Sequence, residues 1–174
     1  MTTDLEETIK RAQRGDRNAF SQLVEGHYAA MFRFAMQYCG NREDAEDVTQ
    51  QACVKLARAL DQFRFQSAFS SWLYRLVINC ARDNYRARGQ QAVAEPADLP
   101  APGSAESGIL LGQVLALVEQ MGEGFREALV LVHGEGLSHA EAAAVLEVKE
   151  STVSWRLHEI RKRLREHASP GVDV

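Results

Sequence analysis

No run of this sequence approaches the roughly 20 consecutive apolar residues that a helix needs to cross a bilayer, so no membrane insertion is expected. The opening residues, Met1-Thr2-Thr3-Asp4-Leu5-Glu6-Glu7, are acidic and lack the apolar core of a secretory signal, which makes the cytoplasm the expected compartment. Cysteine is scarce: Cys39, Cys53 and Cys80 are odd in number, widely spaced and never arranged as Cys-x-x-Cys. That argues against metal or redox chemistry and for buried, reduced thiols. The histidines (His27, His133, His139, His158, His167) fall at no ligand spacing with a cysteine or carboxylate, so neither a metal site nor a nucleophile with its base is expected. No catalytic residue and no cofactor are therefore assigned. The expectation is a protein that is not an enzyme.

What is present is a normal share of core-forming residues, 45% hydrophobic, and a very uneven distribution of charge. The net charge of −4 would by itself argue against nucleic acid. Within 149–165, however, Lys149, Arg156, Arg161, Lys162, Arg163 and Arg165 face only Glu150 and Glu159. Within 64–88, Arg64, Arg75, Arg82, Arg86 and Arg88 face Asp83 alone. Within 41–51 the sign reverses, with Glu43, Asp44, Glu46 and Asp47 against Arg42. The global sum hides two cationic helices and one anionic face.

Hydrophobic periodicity is helical nearly throughout and no strand alternates convincingly, so the expected class is all-α. A first helix covers about 4–14 with Leu5, Ile9 and Ala12 inward, and Gly15 stops it. Asp16 can cap a longer helix with the stripe Phe20, Leu23/Val24, Tyr28, Met31, Ala35 and Tyr38, closed by Gly40. Asn41 caps a third, with Ala45, Val48, Ala52, Leu56 and Leu60 inward. After the irregular stretch 64–68 a fourth helix runs from about Ser70 to 88–89, with Leu73, Leu76/Val77 and Cys80 inward. Residues 90–107 then hold Pro96, Pro100 and Pro102 among Ala, Ser and Gly, with almost no bulky side chains; such a segment reads as a flexible linker. The expected layout is a helical module at 1–89, the linker at 90–107, a second helical module at 108–168 and a tail at 169–174.

The second module carries the sharpest local signal. Ser138-His139-Ala140-Glu141 spells a capping box. The short helix it starts presents the small residues Ala142 and Ala143, which let another helix cross closely. A turn at 147–149 follows, and then Val153, Leu157, Ile160 and Leu164 recur at spacings of 4, 3 and 4 as one narrow apolar stripe. At 100° per residue, Ser151, Trp155, His158 and Lys162 lie opposite that stripe; Ser154, Arg161 and Arg165 flank one side, Thr152, Arg156 and Arg163 the other. A helix packed on one face, cationic elsewhere and delivered by a capped partner is what entry into a DNA major groove requires. Ser151 and Thr152 suit phosphate contacts near a helix N-terminus, and Arg156 is the best candidate for a base edge or the adjacent phosphate.

Gly136-Leu137-Ser138, Glu141, Val145-Leu146, Val148, Thr152-Val153, Arg156-Leu157-His158 and 160–165 resemble the C-terminal helix-turn-helix of extracytoplasmic-function sigma factors. Regulators of the LuxR type share that skeleton, so the N-terminal half decides. There 40–51 (Gly-Asn-Arg-Glu-Asp-Ala-Glu-Asp-Val-Thr-Gln-Gln), then 69–79 (Phe-Ser-Ser-Trp-Leu-Tyr-Arg-Leu-Val-Ile-Asn) and Asp83, resemble the polymerase-binding and minus-ten-reading part of the same family. The two matches stand in the right order and cover about residues 5 to 166. The resemblance implies a minimal, two-module sigma factor. In it, Asp44, Asp47 and Gln50 would dock on the beta-prime clamp helices of core RNA polymerase. Phe63, Arg64, Phe65, Gln66, Ser67 and Ala68, with Asn79, would capture an extruded base of the minus-ten element, and Arg75, Arg82, Arg86 and Arg88 would follow the backbone. The second module would sit on the beta flap and present Ser151, Thr152, Ser154, Trp155, Arg156, His158, Arg161, Lys162 and Arg163 to the minus-thirty-five element. Promoter DNA, core polymerase and an anti-sigma factor are the implied partners. Trp72 is assigned to the core.

Two departures from the family pattern matter. Glu147 stands in the turn where the family has Gly, at a cost of about 1 kcal/mol if the backbone there is left-handed. Ser154 and Trp155 precede Arg156 where basic or small residues are usual, so Trp155 is left open between a thymine methyl and an inhibitor. A stand-alone regulator would need strands ahead of residue 90, and none are read there. A sigma-like decoy would have lost its basic residues, and they remain.

Overall fold

A computed structural model of the chain describes residues 2–89 and 105–168, and every regular element in them is helical. The linker expected at 90–107 falls largely outside the described residues, as does the tail at 169–174. The chain divides into two compact units, Met1–Glu95 and Pro96–Val174.

The first unit contains α1 (Thr2–Gln13), α2 (Arg17–Cys39), α3 (Arg42–Ala59), a 3₁₀ turn (Leu60–Gln62) and α4 (Phe69–Gly89). Local chemistry sets their ends. The Asp16 carboxylate accepts from the amides of Asn18 and Ala19 to start α2, and Gly40, at φ +77°, closes it with its amide on Met36 O. Asn41 accepts from the Asp44 amide to start α3. The stripe Ala45, Val48, Ala52, Leu56 and Leu60 is buried, as is Leu73, Leu76, Val77 and Cys80 on α4. Along α2 the pattern drifts: Leu23, Met31, Ala35 and Tyr38 are buried, but Tyr28 is exposed and Phe34 takes the centre of the core against Tyr74, ring centroids 5.2 Å apart. A second aromatic cluster, Phe63, Phe69 and Trp72, closes the end where α3 passes into α4.

The second unit contains α5 (Ala105–Glu119), α6 (Phe125–Leu129), a π-helical turn (Val130–Gly134), α7 (His139–Leu146) and α8 (Glu150–Ala168). Helix α5 starts at Ala105, so residues 105–107, expected as the end of the linker, are helical. The Ser138–Glu141 box is present with both hydrogen bonds: Glu141 N donates to Ser138 Oγ at 3.2 Å and Ser138 N to Glu141 Oε2 at 2.8 Å. Ala142 and Ala143 are buried, and their small side chains admit the stripe Val153, Leu157 and Ile160 of α8. Glu147 does adopt the left-handed conformation (φ +56°, ψ +40°), and its amide and that of Val148 both donate to Ala143 O.

Candidate nucleic-acid interface

Helix α8 is anchored along one side and open along the other. Ser151, Trp155, His158, Arg161, Lys162 and Arg163 are exposed, whereas Thr152, Ser154 and Arg156 are half-buried. Among the described residues Arg161, Lys162 and Arg163 make no ion pair. Two members of the face assigned from sequence are drawn toward the unit's own body. The Ser154 hydroxyl is 2.8 Å from His139 Nδ1, bracing α8 on α7. The Arg156 guanidinium lies against Gly124 at the start of α6, so close that a Cβ on Gly124 would stand 2.3 Å from Arg156 Cζ. Trp155 is 54% exposed but rests edge-on against Phe125, centroids 5.4 Å apart.

In the first unit, residues 63–68 form an irregular link whose members diverge. Phe63 is buried; Arg64, Phe65, Gln66 and Ala68 are exposed and Ser67 is half-buried. Arg64 Nη1 donates to Asp61 O at 2.9 Å. Phe65 has φ +58°, a left-handed conformation that an aromatic residue adopts only when its surroundings enforce it. On α4, Asn79 and Arg86 are exposed and Arg75 and Arg82 half-buried. Trp72, assigned to the core, is half-buried, and with Arg75 and Asn79 it lines a groove of about 370 Å³ whose opposite wall carries Lys55 and Arg58 of α3. Those two cations were missed by the sequence reading because they belong to a helix characterised there by its acidic start. The Lys55 ammonium is held above its usual range by its hydrogen bond to Asp83 (2.9 Å), and so stays charged.

The acidic face separates into two parts. Asp47 and Gln50 are exposed beside Val54, which is itself 50% exposed. Asp44, grouped with them from sequence, is turned inward. Its Oδ2 accepts from Asn41 Nδ2 (2.6 Å) and Arg88 Nη1 (2.8 Å), and Arg88 Nη2 is 2.6 Å from Oδ1. The reason is periodicity: Asp44 lies four residues before Val48, on the side of α3 that faces the core. A signal for this was present, since Asn41-x-x-Asp44 puts an acceptor at the third position of a capped helix.

Cys39 and Cys80 are buried and Cys53 is half-buried; burial pushes the Cys53 and Cys80 thiols up and leaves them weak nucleophiles. Among the described residues no cluster of His, Cys, Asp or Glu could hold a metal ion, and no helix is long and apolar enough to cross a membrane.

A capped helix-turn-helix with an open cationic second helix defines, first, a DNA-binding class of protein. The Sigma-70 region 2 family matches residues 23–91 and Sigma-70, region 4 matches residues 111–164. The chain is 33% identical to the RNA polymerase sigma-H factor of Pseudomonas aeruginosa, covering 95% of this chain and 94% of that protein. It is 30% identical to the ECF RNA polymerase sigma-E factor of Escherichia coli, covering 93% of each. Among solved structures, CnrH in complex with the cytosolic domain of CnrY superposes with a TM-score of 0.68 at 29% identity, covering 92% of this chain and 94% of that one. The sigma factor RpoE in complex with the anti-sigma factor NepR from Bartonella quintana gives 0.67 at 26%, covering 89% and 98%. The chain belongs to the extracytoplasmic-function (ECF) family of RNA polymerase sigma factors, non-enzymatic proteins that direct transcription initiation.

Proposed function

We propose that this sigma factor reads promoters through two surfaces and docks on polymerase through a third. Helix α8 enters the major groove of a duplex minus-thirty-five element, with Ser151 and Thr152 toward phosphates and Trp155, His158, Arg161, Lys162 and Arg163 along the groove. Arg156 serves at the edge of this surface, and Ser154 acts through its brace on α7. The link at 63–68, with Asn79, takes up an extruded base of the melted minus-ten element. Arg75, Arg82 and Arg86, with Arg88 as far as its pairing with Asp44 allows, follow the strand's phosphates without reading sequence. Asp47 and Gln50 dock on the beta-prime clamp helices of core polymerase, and the second unit sits on the beta flap. An anti-sigma factor is the expected regulator, since the Bartonella RpoE is seen bound to the anti-sigma factor NepR. The observation that carries the reading is the open cationic face of α8, opposite its buried stripe. A salt series on duplex minus-thirty-five DNA tests it. Four to six phosphate contacts give a slope of about −4 to −5 in log affinity against log salt. A slope near zero would remove α8 from the DNA.

A further inference from the structure

Helix α1 lies ahead of the region-2 match at 23–91. It nevertheless holds the link at 63–68 from behind. Gln13 Nε2 donates to both Leu60 O and Phe63 O at 2.9 Å each, using both protons of one amide group. The Leu60 carbonyl opens the 3₁₀ turn and also accepts from the Phe63 amide at 3.1 Å, while the Phe63 carbonyl lies just past the turn, where helical bonding has ended. One turn earlier on the same face of α1, Lys10 Nζ stands 5.5 Å from the centroid of the Phe65 ring. Phe65 is the residue at φ +58°, and its ring also meets Phe63 at 4.9 Å. A left-handed aromatic residue in an exposed link relaxes unless several contacts over-determine it. Here three do: the amide clamp before it, the cation over its ring and the buried ring beside it.

We propose that Gln13 and Lys10 are positioning residues for minus-ten recognition: α1 is the template that presets the link at 63–68 in the shape that receives the base. The inference rests on the assignment of that link as the minus-ten reader. Its physical content is preorganisation. A link ordered before DNA arrives loses less conformational entropy on binding and presents Arg64 and Gln66 in one geometry rather than many. Neither residue needs to touch DNA for this.

The test uses full-length protein in holoenzyme with core polymerase, and a single-stranded non-template minus-ten oligonucleotide with the four bases varied at each position. Three variants are compared with the wild type: Gln13→Glu, which keeps the shape but turns the donor into an acceptor facing two carbonyls; Lys10→Met, which keeps most of the stem and removes the cation; and a chain with residues 64–67 replaced by a foreign link. Gln13→Glu is expected to weaken the preferred oligonucleotide about tenfold, on the scale of two lost hydrogen bonds, and to flatten base preference. Core affinity and duplex minus-thirty-five affinity stay at the wild-type level. Loss of base preference with core and duplex affinities unchanged is a readout that a merely structural defect would not give. Lys10→Met is expected to flatten preference more weakly. If the foreign link shifts base preference while Gln13→Glu and Lys10→Met keep the wild-type series, the template inference is overturned and the assignment of the link stands. If Gln13→Glu loses core affinity and helical signal as well, α1 is general scaffold and the inference is again overturned. If the foreign link changes nothing, the assignment of 63–68 fails, and the inference with it.

Discussion

Arg88 near the end of α4 and Asp44 in the first turn of α3 are joined by an ion pair of 2.6 Å, with the carboxylate nearly buried and the guanidinium half exposed. The pair ties a residue expected to follow DNA to one expected to face polymerase. Both are thereby partly committed to holding the first unit together, and they leave Asp47 and Gln50 as the open part of the acidic helix.

That division is measurable. Asp44→Ala removes the pairing with Arg88 and the contact with Asn41, and should cost about 1–2 kcal/mol of stability, read as a lower midpoint in denaturant. Asp47→Arg and Gln50→Ala should leave the midpoint within about 0.5 kcal/mol of wild type, as exposed positions do, while lowering affinity for core polymerase. A variant at Asp44 that keeps full stability and loses polymerase would return that residue to the docking face.

Gly124 offers a way to disturb Arg156 without touching α8. At φ +87°, alanine there is strained by roughly 1–2 kcal/mol, and its Cβ would displace the guanidinium that covers the glycine. Gly124→Ala is expected to lower the thermal midpoint and, in filter-binding against minus-thirty-five variants, to change affinity in the same sense as Arg156→Ala. Loss of preference in Arg156→Ala marks a base contact; an equal loss on every duplex marks a phosphate contact.

Glu147 keeps a left-handed backbone that glycine adopts without strain. Glu147→Gly should stabilise the second unit by up to about 1 kcal/mol, reduced by the extra freedom that glycine gives the unfolded chain. Thermal unfolding of wild type and variant side by side decides it, and a lower midpoint would show that the side chain's own contacts outweigh the strain.

The capping box makes α7 acid-sensitive. Hydrogen bonding from the Ser138 amide, and then from its side chain, holds the Glu141 carboxyl below its ordinary 4.5. A depressed folded pKa contributes stability that is fully present above the unfolded value and is lost as pH falls through the folded one. Ser138→Ala should cost about 1 kcal/mol at neutral pH. The gap between wild type and Glu141→Ala should close on acidification below 4.5. A gap that is constant from neutral pH down through that range would mean that the carboxylate is not what caps the helix.

Helix ends and core stripes were readable from the amino-acid order because their causes are local. Asp16, Gly40, Asn41 and the Ser138–Glu141 box each act within four residues, and a 3.6-residue period places Val48, Leu56, Val153 and Ile160 inward whatever the partner helix is. The same locality marked α8 as a helix with one apolar side and cations on the rest, which is the physical basis of the DNA-binding assignment. Tyr28 was misplaced because a stripe along a 23-residue helix drifts, and only the packing of α3 and α4 decides where it leaves the core.

What the order of residues determined alone is the inventory: all-helical elements, their caps, two blocks of positive charge and the motifs that resemble a sigma factor. The tertiary structure alone decided which of those side chains remain open. Arg88 meets Asp44 across 44 positions, Gln13 reaches Phe63 across 50, and Ser154 finds His139 across 15. Arg156 settles on Gly124. Periodicity gives the direction in which a side chain leaves its own helix, but a hydrogen bond or ion pair forms within about 3 Å of a partner. Which partner comes that close is set by how helices cross, and that depends on the whole packed core rather than on any one segment.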